Sequence, residues 1–557
     1  MFKKIVSLLM AVAMVAMLMA ILPVSTAADE PESTPSVWSG KANVKWYVDG
    51  KAEGAEEWHI KTAEDLAGLA WIVGAGNPNA CYVGLYYDAD YNVLGFRRTD
   101  NSEQKPYAEN SRCYKQKSND GSTLIEGYDF LYETVYLDAD ILLNEGNAAD
   151  WAETAPANVW FPIGGCINPN AKEPGFNGIF EGEGHTISGA YYSTDDKDNF
   201  AVGLFGYAGS SGASQFKNLK LKNSFFRSGQ ATGTICGRSN KPITIKNCQV
   251  EDCISINHSG QGGGLVGGVF NGNALFENCQ LRNVSVEATR YVGGFVGCVN
   301  GVNVTVKNCS ITGTVTARAI EVVKDDGSIA YTFGCEAGIV IGRAAGGSYD
   351  VEKFWSDVAV NQFGKPEDQN ISAHNKARAG VIFAGSGGTA GGDDFAYPPY
   401  SIESIYCVSK FNATEVVGID EIEGAKVLDS YDFEIVTTED LLGAKAEDTL
   451  AGFEFGEVWE ATESGYPEIR FAELTQADID ARAEENQGNE DEPEYNPTPV
   501  RPSKDMDNQP GSTTTENPTT ETAQEKKKGC GSVIAGLPVI GILALAGVAV
   551  ARKKKEN

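Results

Sequence analysis

One block of residues recurs through the middle of the chain, and this repetition constrains the fold more than any other feature. The last clear copy is VGGFVGCVNGVNVTVKNCSITGTVTA at residues 292–317, and related copies begin at residues 202, 232 and 262. Two markers keep one period: Gly206, Gly237, Gly267 and Gly297 are 31, 30 and 30 residues apart, and Asn218, Asn247, Asn278 and Asn308 are 29, 31 and 30 apart. A period of roughly 20–50 residues is typical of stacked arrays.

Each copy alternates small and apolar residues over short runs separated by Gly or Asn, which predicts two or three short strands with tight corners. Such a unit cannot bury its apolar face alone, so neighbouring copies must stack. Stacking places like residues above like, and the recurrent asparagines then form a ladder of side-chain amides. The next column holds Leu219, Cys248, Cys279 and Cys309, which interchange as buried apolar groups. The pattern predicts a mainly β chain with a parallel β-helix; a β-sandwich is the alternative.

The GG(L/F)VG…NC…V pattern resembles the GLUG-motif repeats of bacterial surface proteins, which occur beside peptidase and adhesin regions. The resemblance covers residues 202–316 and weakens at residues 336–360, where Trp355 and Ser356 replace the Asn-Cys pair. It implies a right-handed parallel β-helix solenoid over residues 201–410, with first turns at residues 129–200 and a C-terminal cap region at residues 411–485. It is specific for architecture and implies no particular chemistry.

The segment before the repeats predicts a strand followed by a helix that covers the open end of the solenoid. We expect a strand at residues 38–48, and Thr62 with Asp65 forms a capping-box pattern before an amphipathic helix over residues 63–74. An exposed solenoid end presents unpaired strand edges, which favours a short N-terminal capping helix within residues 28–74. After the repeats, Thr438 begins another predicted helix, residues 458–469 resemble a closing strand, and residues 475–485 favour one more helix.

The two ends of the chain predict export and anchoring. Lys3 and Lys4 precede an apolar run and a small-residue cleavage site, so residues 1–27 are predicted to be a signal peptide, with an uncleaved anchor as the alternative. Residues 486–528 are rich in Pro, Thr and Glu, which predicts a disordered stalk. Residues 533–551 contain no charge and precede a basic tail, so residues 529–557 are predicted to form a C-terminal transmembrane helix with its tail in the cytoplasm. The predicted location is the cell surface, with a large extracellular domain.

Catalytic, metal and cofactor sites are not expected from the motifs. The net charge of −31 and the lack of a basic stripe exclude nucleic acid as a partner. The chain has 4 histidines without a metal-binding spacing, and no nucleophile elbow or phosphate loop. A β-helix lyase or glycosidase would need clustered carboxylates. The acidic candidates are Asp195, Asp196 and Asp198, with a possible calcium role, and the pairs Asp325–Asp326 and Asp393–Asp394.

Residues 75–128 interrupt the repeat pattern with a tyrosine-rich insertion. The residue types that dominate binding hot spots are concentrated there, and the predicted binding residues are Tyr82, Tyr86, Tyr87, Tyr91, Arg97 and Arg98. The alternative is a small hairpin subdomain whose tyrosines pack against the cap. Cys81 and Cys113 also lie in this insertion and form the most plausible disulfide pair among 12 cysteines, whereas the repeat-column cysteines are expected to be free and buried.

The predicted function is that of a surface-displayed, non-catalytic adhesion or binding protein of a Gram-positive-type bacterium. Its expected partners are an extracellular glycan or protein, and the membrane through the C-terminal helix. A β-helix polysaccharide lyase or glycoside hydrolase is the alternative from another class, and a structural envelope protein without a specific ligand is a third possibility.

Overall fold

The computed structural model describes residues 35–75, 82–98, 123–165, 175–196, 201–318, 321–323, 329–331, 336–363, 378–380, 383–386, 400–411 and 433–471. The chain divides into two compact units, Met1–Ala483 and Glu484–Asn557, and every described residue belongs to the first. The described ranges do not include the predicted signal peptide, the stalk, the C-terminal span or the helix predicted at residues 475–485. In the part that is described, no helix is both long and apolar enough to cross a membrane.

The first unit is mainly β, with parallel sheets and few helices. Its largest sheet has 18 strands: Glu57–Ile60, Thr134–Leu137, Ile141–Leu142, Ile179–Glu181, Thr186–Ser188, Tyr191–Ser193, Ser214–Lys217, Lys220–Lys222, Phe225–Ser228, Ile243–Lys246, Gln249–Glu251, Ile254–Asn257, Ala274–Glu277, Gln280–Ala288, Val304–Arg318, Tyr349–Phe363, Tyr400–Phe411 and Phe433–Val436. From Gln280 onwards, strands that are separate in earlier repeats merge into long ones.

Two further parallel sheets have six strands each. One contains Ala201–Val202, Ala231–Thr232, Gln261–Gly263, Tyr291–Gly293, Glu336–Gly338 and Arg378–Gly380. The other contains Phe205–Ala208, Cys236–Ser239, Val266–Phe270, Val296–Asn300, Ile341–Ala345 and Phe383–Ser386. Glycine is required where these two sheets meet, because a Cβ on Gly237 would lie 2.3 Å from the backbone nitrogen of Val202.

Strand pairing follows the sequence repeat. Ser214 pairs with Ile243, which pairs with Ala274, which pairs with Val304. The same register aligns the fully buried side chains of Phe216, Ile245, Phe276 and Val306. Each apolar side chain in this column is covered by the equivalent side chain of the next repeat, so the core is continuous from repeat to repeat. Units too small to fold alone become stable in this way.

Two helices precede the repeats. Helix α1 spans Lys45–Glu53 and helix α2 spans Ala63–Gly74. The strand predicted at residues 38–48 is wrong: the Asn43 side chain accepts a hydrogen bond from Lys45 N at 2.9 Å at the start of α1, and Gly54 ends it in the left-handed conformation. The helix predicted at residues 63–74 is present, and the capping box between Thr62 and Asp65 is formed.

The tyrosine-rich insertion forms an antiparallel sheet of three strands in its described part: Val93–Arg98, Tyr82–Tyr87 and Thr123–Ile125. Two backbone hydrogen bonds fix it to the residues before α1, from Val44 N to Tyr91 O at 3.0 Å and from Val93 N to Ala42 O at 2.9 Å. A second excursion, after Arg318, is the two-stranded hairpin Glu321–Val323 with Ile329–Tyr331.

The C-terminal part of the unit packs on the outside of the large sheet. It contains the 3-10 helix Thr438–Leu441, helix α3 at Lys445–Thr449 and the antiparallel pair Trp459–Glu460 and Glu468–Ile469. The helix predicted to begin at Thr438 is thus two short pieces, and the predicted closing strand is a hairpin. Leu441, Leu450, Phe453 and Trp459 form one buried cluster with Trp355 and Val408 of the large sheet. A second 3-10 helix, Ala148–Asp150, lies near the N-terminal end.

Candidate ligand-binding cleft

A cleft of about 500 Å³ lies beside α2, and we call it the tryptophan cleft. Four segments build it: the residues before α1, part of α2, the turn of the tyrosine-rich hairpin, and residues 157–161. Its lining residues are Trp38, Gly40, Lys41, Ala42, Ala67, Ala70, Trp71, Asp88, Asn92, Val93, Leu94, Ala157, Asn158, Val159, Trp160 and Phe161. The volume lies in the range of small-molecule sites.

Aromatic rings dominate the wall of the tryptophan cleft. Trp38 and Trp160 meet edge to face with ring centroids 6.0 Å apart, and both are buried. Their indole nitrogens donate to the backbone oxygens of Lys41 at 2.5 Å and Leu204 at 3.1 Å. Trp71 and Phe161 are half-buried. Because the two buried indoles are satisfied internally, what the wall offers a ligand is mainly rigid apolar surface.

Polar groups also line the tryptophan cleft. Asn158 donates through its side-chain nitrogen to Trp38 O at 2.6 Å and Leu143 O at 3.1 Å. The Asp88 carboxylate accepts from the backbone nitrogens of Asp90 and Asn92 at 3.0 and 2.9 Å. Burial pushes the pKa of Asp88 up, but these bonds and the Asn92 amide outweigh it, so the pKa is lowered. Asp88 therefore stays ionised and holds the turn.

Of the residues predicted to bind a partner, Tyr86, Tyr87 and Tyr91 have described side chains, and none of these three lines the cleft. Tyr87 is buried and stacks on Tyr91, with ring centroids 5.6 Å apart and planes 8° from parallel; Tyr86 and Tyr91 are half-buried. The backbones of Tyr82, Arg97 and Arg98 lie in the hairpin strands, and their side chains lie outside the described part. Instead, the turn residues Asp88, Asn92, Val93 and Leu94 reach the cleft.

The four recurrent asparagines lie one above another and are hydrogen bonded. Asn247 donates to Asn218 at 3.1 Å, Asn278 to Asn247 at 2.9 Å, and Asn308 to Asn278 at 2.9 Å, each from Nδ2 to Oδ1. All four have φ between 51° and 55°. Asn tolerates this left-handed conformation better than most residues, so the column uses Asn for its backbone as well as its amide.

A second column of left-handed corners was not anticipated from the sequence. Asn223, Asp252, Asn283 and Gly313 all have positive φ, and Asn283 Nδ2 donates to Asp252 Oδ1 at 2.7 Å. Their recurrence, at intervals of 29, 31 and 30 residues, matches the first column. This regular spacing was present in the sequence, but the change of residue type along the column concealed it.

Seven cysteines are free and buried in the described part: Cys236, Cys248, Cys253, Cys279, Cys298, Cys309 and Cys407. Burial raises the pKa of the Cys236, Cys253, Cys298 and Cys407 thiols to about 12. These thiols behave as apolar core groups and are poor nucleophiles at neutral pH. Cys81 and Cys113 lie outside the described residues.

The acidic residues considered for catalysis or calcium do not form a cluster where they are described. Asp195 pairs with Arg227 at 2.5 Å, whereas Asp198, Asp325, Asp326, Asp393 and Asp394 lie outside the described residues. His59 pairs with Asp138 at 2.9 Å and His185 with Asp140 at 3.3 Å. Among the residues that the structure describes, no three His, Cys, Asp or Glu side chains are grouped to hold a metal ion.

Comparisons with known proteins leave the family open. No family model matches the chain. No curated protein matches it. A solved structure titled "putative immunoglobulin A1 protease from Bacteroides ovatus" is similar, with a TM-score of 0.38 and 18% sequence identity over 61% of this chain and 86% of that chain. At that level of similarity it supports no conclusion about this protein.

Proposed function

We propose that this protein is a surface-displayed, non-catalytic binding protein of a Gram-positive-type bacterium, and that it holds an extracellular glycan in the tryptophan cleft. The observation that carries the proposal is the cleft itself, which is lined by Trp38, Trp71 and Trp160 together with polar side chains. Sugar rings have apolar C–H faces and a polar hydroxyl edge, and this arrangement of surfaces complements both.

The scaffold that we propose for this site is a right-handed parallel β-helix of GLUG-type repeats. Three facts support it: each repeat adds one strand to each six-stranded sheet and further strands to the large sheet, all these pairings are parallel, and the register follows the 30-residue period. Helix α2 caps the N-terminal end in this proposal, which places the cleft beside the cap. The stalk and the C-terminal transmembrane helix would hold the scaffold at the cell surface.

Binding is favoured over cleavage because the cleft lacks a carboxylate pair. Glycosidases place two carboxyl groups on either side of the scissile bond. Among the cleft residues that the structure describes, Asp88 is the one carboxylate, and its oxygens are engaged by Asn92 and the backbone of its own turn. A carboxylate held in this way is ionised and does not provide the proton that a glycosidase donates to the leaving group.

A glycan array probed with the full-length chain tests the proposal. Trp71→Ala should weaken binding of the selected glycan at least about tenfold, because a stacked ring is a typical hot spot. Tyr132→Ala is the control, since Tyr132 is 68% exposed and does not line the cleft. Unchanged affinity of a folded Trp71→Ala variant would refute the site. Shortening of the bound glycan would show that the protein cleaves it, as a hydrolase or a lyase.

A further inference from the structure

Three arginines gather on the outer surface of the two six-stranded sheets, far in sequence from the tryptophan cleft. Arg238 and Arg343 occupy the same register column, with Gly268 and Cys298 between them. Arg290 directly precedes Tyr291. The strand of Tyr291 belongs to the other six-stranded sheet, the neighbouring column, and pairs there with the strand of Glu336. We call Arg238, Arg290 and Arg343, with Phe270 and Tyr291, the arginine face.

Each guanidinium of the arginine face lies over an aromatic ring. Arg238 lies 4.4 Å from the ring centroid of Phe270, while Arg290 and Arg343 lie 5.0 and 4.9 Å from that of Tyr291. Arg343 also donates to the Tyr291 hydroxyl, and Arg238 Nε donates to Asn240 Oδ1 at 3.2 Å. Stacking restricts the arginine rotamers before any ligand arrives, so less entropy is lost on binding.

The charge of the arginine face contrasts with that of the chain. Glu336 is the buried carboxylate that interacts with Arg343, which leaves three guanidinium groups against one carboxylate among these described side chains. Burial lowers the pKa of Arg343, but Tyr291 and Glu336 outweigh it, and the pKa is raised. The face therefore stays cationic at every physiological pH, on a chain with a net charge of −31.

Arg238 and Arg343 are aligned along the stack, and Arg290 lies in the neighbouring column. Three register steps separate Arg238 from Arg343, which corresponds to about 14 Å along the stack at the usual strand spacing. A row of fixed cations is complementary to a polymer with repeated anionic groups, and planar guanidinium groups bind carboxylate or sulfate oxygens in pairs. We infer that the arginine face binds a linear acidic polysaccharide, bearing carboxylate or sulfate groups, at a site separate from the tryptophan cleft.

Biolayer interferometry with the immobilised full-length chain tests this inference, using polygalacturonate, dextran sulfate and neutral dextran as probes in about 50 mM salt. We expect binding of one or both anionic polymers, none of neutral dextran, and affinity that falls as salt rises, because the contacts are ionic. Comparison of polygalacturonate with dextran sulfate shows whether the arginine face prefers carboxylate or sulfate groups.

The double variant Arg238→Gln/Arg343→Gln should weaken this binding at least about tenfold and flatten its salt dependence. Arg227→Gln removes one guanidinium from the large sheet, where Arg227 pairs with Asp195, and should bind like the parent. Thermal melts confirm that each variant is folded. Absence of binding to both anionic polymers, an equal loss in Arg227→Gln, or equally tight binding of poly-glutamate, which would indicate an acidic protein partner, would each overturn the inference.

Discussion

Trp459 donates its indole N–H to the side-chain oxygen of Asn308 at a distance of 2.6 Å, and so closes one end of the asparagine ladder. Lys353 occupies the next position of that column, because Cys309 pairs with Phe354, and its ammonium group pairs with Glu454 at 3.0 Å. At the other end, Asn218 donates to Glu181 Oε1 at 2.6 Å. The ladder thus has a terminal partner on each side, one of them supplied by the C-terminal hairpin.

The contribution of the Trp459 bond can be measured by removing only its donor. Trp459→Phe should lower the free energy of unfolding by about 1–3 kcal/mol, because Asn308 then keeps a buried acceptor without a partner. Trp355→Phe is the matched control: its indole lies in the same buried cluster, and its nitrogen has no hydrogen-bond partner. Urea unfolding compares the two, and equal losses would show that the Trp459 bond contributes nothing specific.

The asparagine ladder should be more sensitive to substitution than a corner that shares only its backbone conformation. Asn278→Leu loses the amide bonds, at about 1–3 kcal/mol, and also places a branched side chain at positive φ, at about 1–2 kcal/mol. Asn271→Leu is the control, since Asn271 also has positive φ (62°) but is exposed and outside the ladder. If thermal melts show the same loss for both, the amides do not stabilise the fold.

Buried thiols predict a fall in stability at alkaline pH. The pKa of Cys253 rises from 9.0 to about 12 on folding, so the folded state keeps a proton that the unfolded state releases above pH 9. Its stabilisation is complete below pH 9 and is lost between pH 9 and 12, by about 1.4 kcal/mol at pH 10. In Cys253→Ala this loss should be absent. The stability difference between parent and variant, measured by urea unfolding at pH 7 and 10, should therefore shrink by that amount.

Anchoring through the C-terminus remains a prediction from the sequence. A chain ending at Glu525 lacks the uncharged stretch at residues 533–551 and should appear in the medium after signal cleavage. Immunoblots of cells and medium compare it with the full chain. Retention of the truncated chain on the cells would indicate an uncleaved N-terminal anchor or another attachment.

The repeat could be predicted because its evidence is local and periodic. The spacing of Asn218, Asn247, Asn278 and Asn308 predicted which residues would lie above one another, and the hydrogen bonds follow that order. The backbone role of the same asparagines was missed, because residue type alone does not distinguish a positive φ from an amide contact. The strand expected at residues 38–48 is wrong, because the chain turns at Asn43, whose side chain accepts from Lys45 N, and helix α1 begins at Lys45 and buries Tyr47.

The tryptophan cleft could not be predicted in the same way. Trp38, Trp71 and Trp160 come from three segments without a common period, and the fold brings them together at one cleft. The same holds for the arginine face, where Arg290 lies in a different column from Arg238 and Arg343. Sites assembled across columns leave no signal in any single repeat.

The register of the large sheet is maintained while the repeats grow longer. Val304 pairs with Tyr349 and Tyr349 with Tyr400, at intervals of 45 and 51 residues instead of 30. The hairpin Glu321–Val323 with Ile329–Tyr331 lies within the first of these intervals, and the strands after it resume in alignment. A duplicated 30-residue copy would therefore add strands to each of the parallel sheets, whereas an inserted hairpin leaves their pairing unchanged.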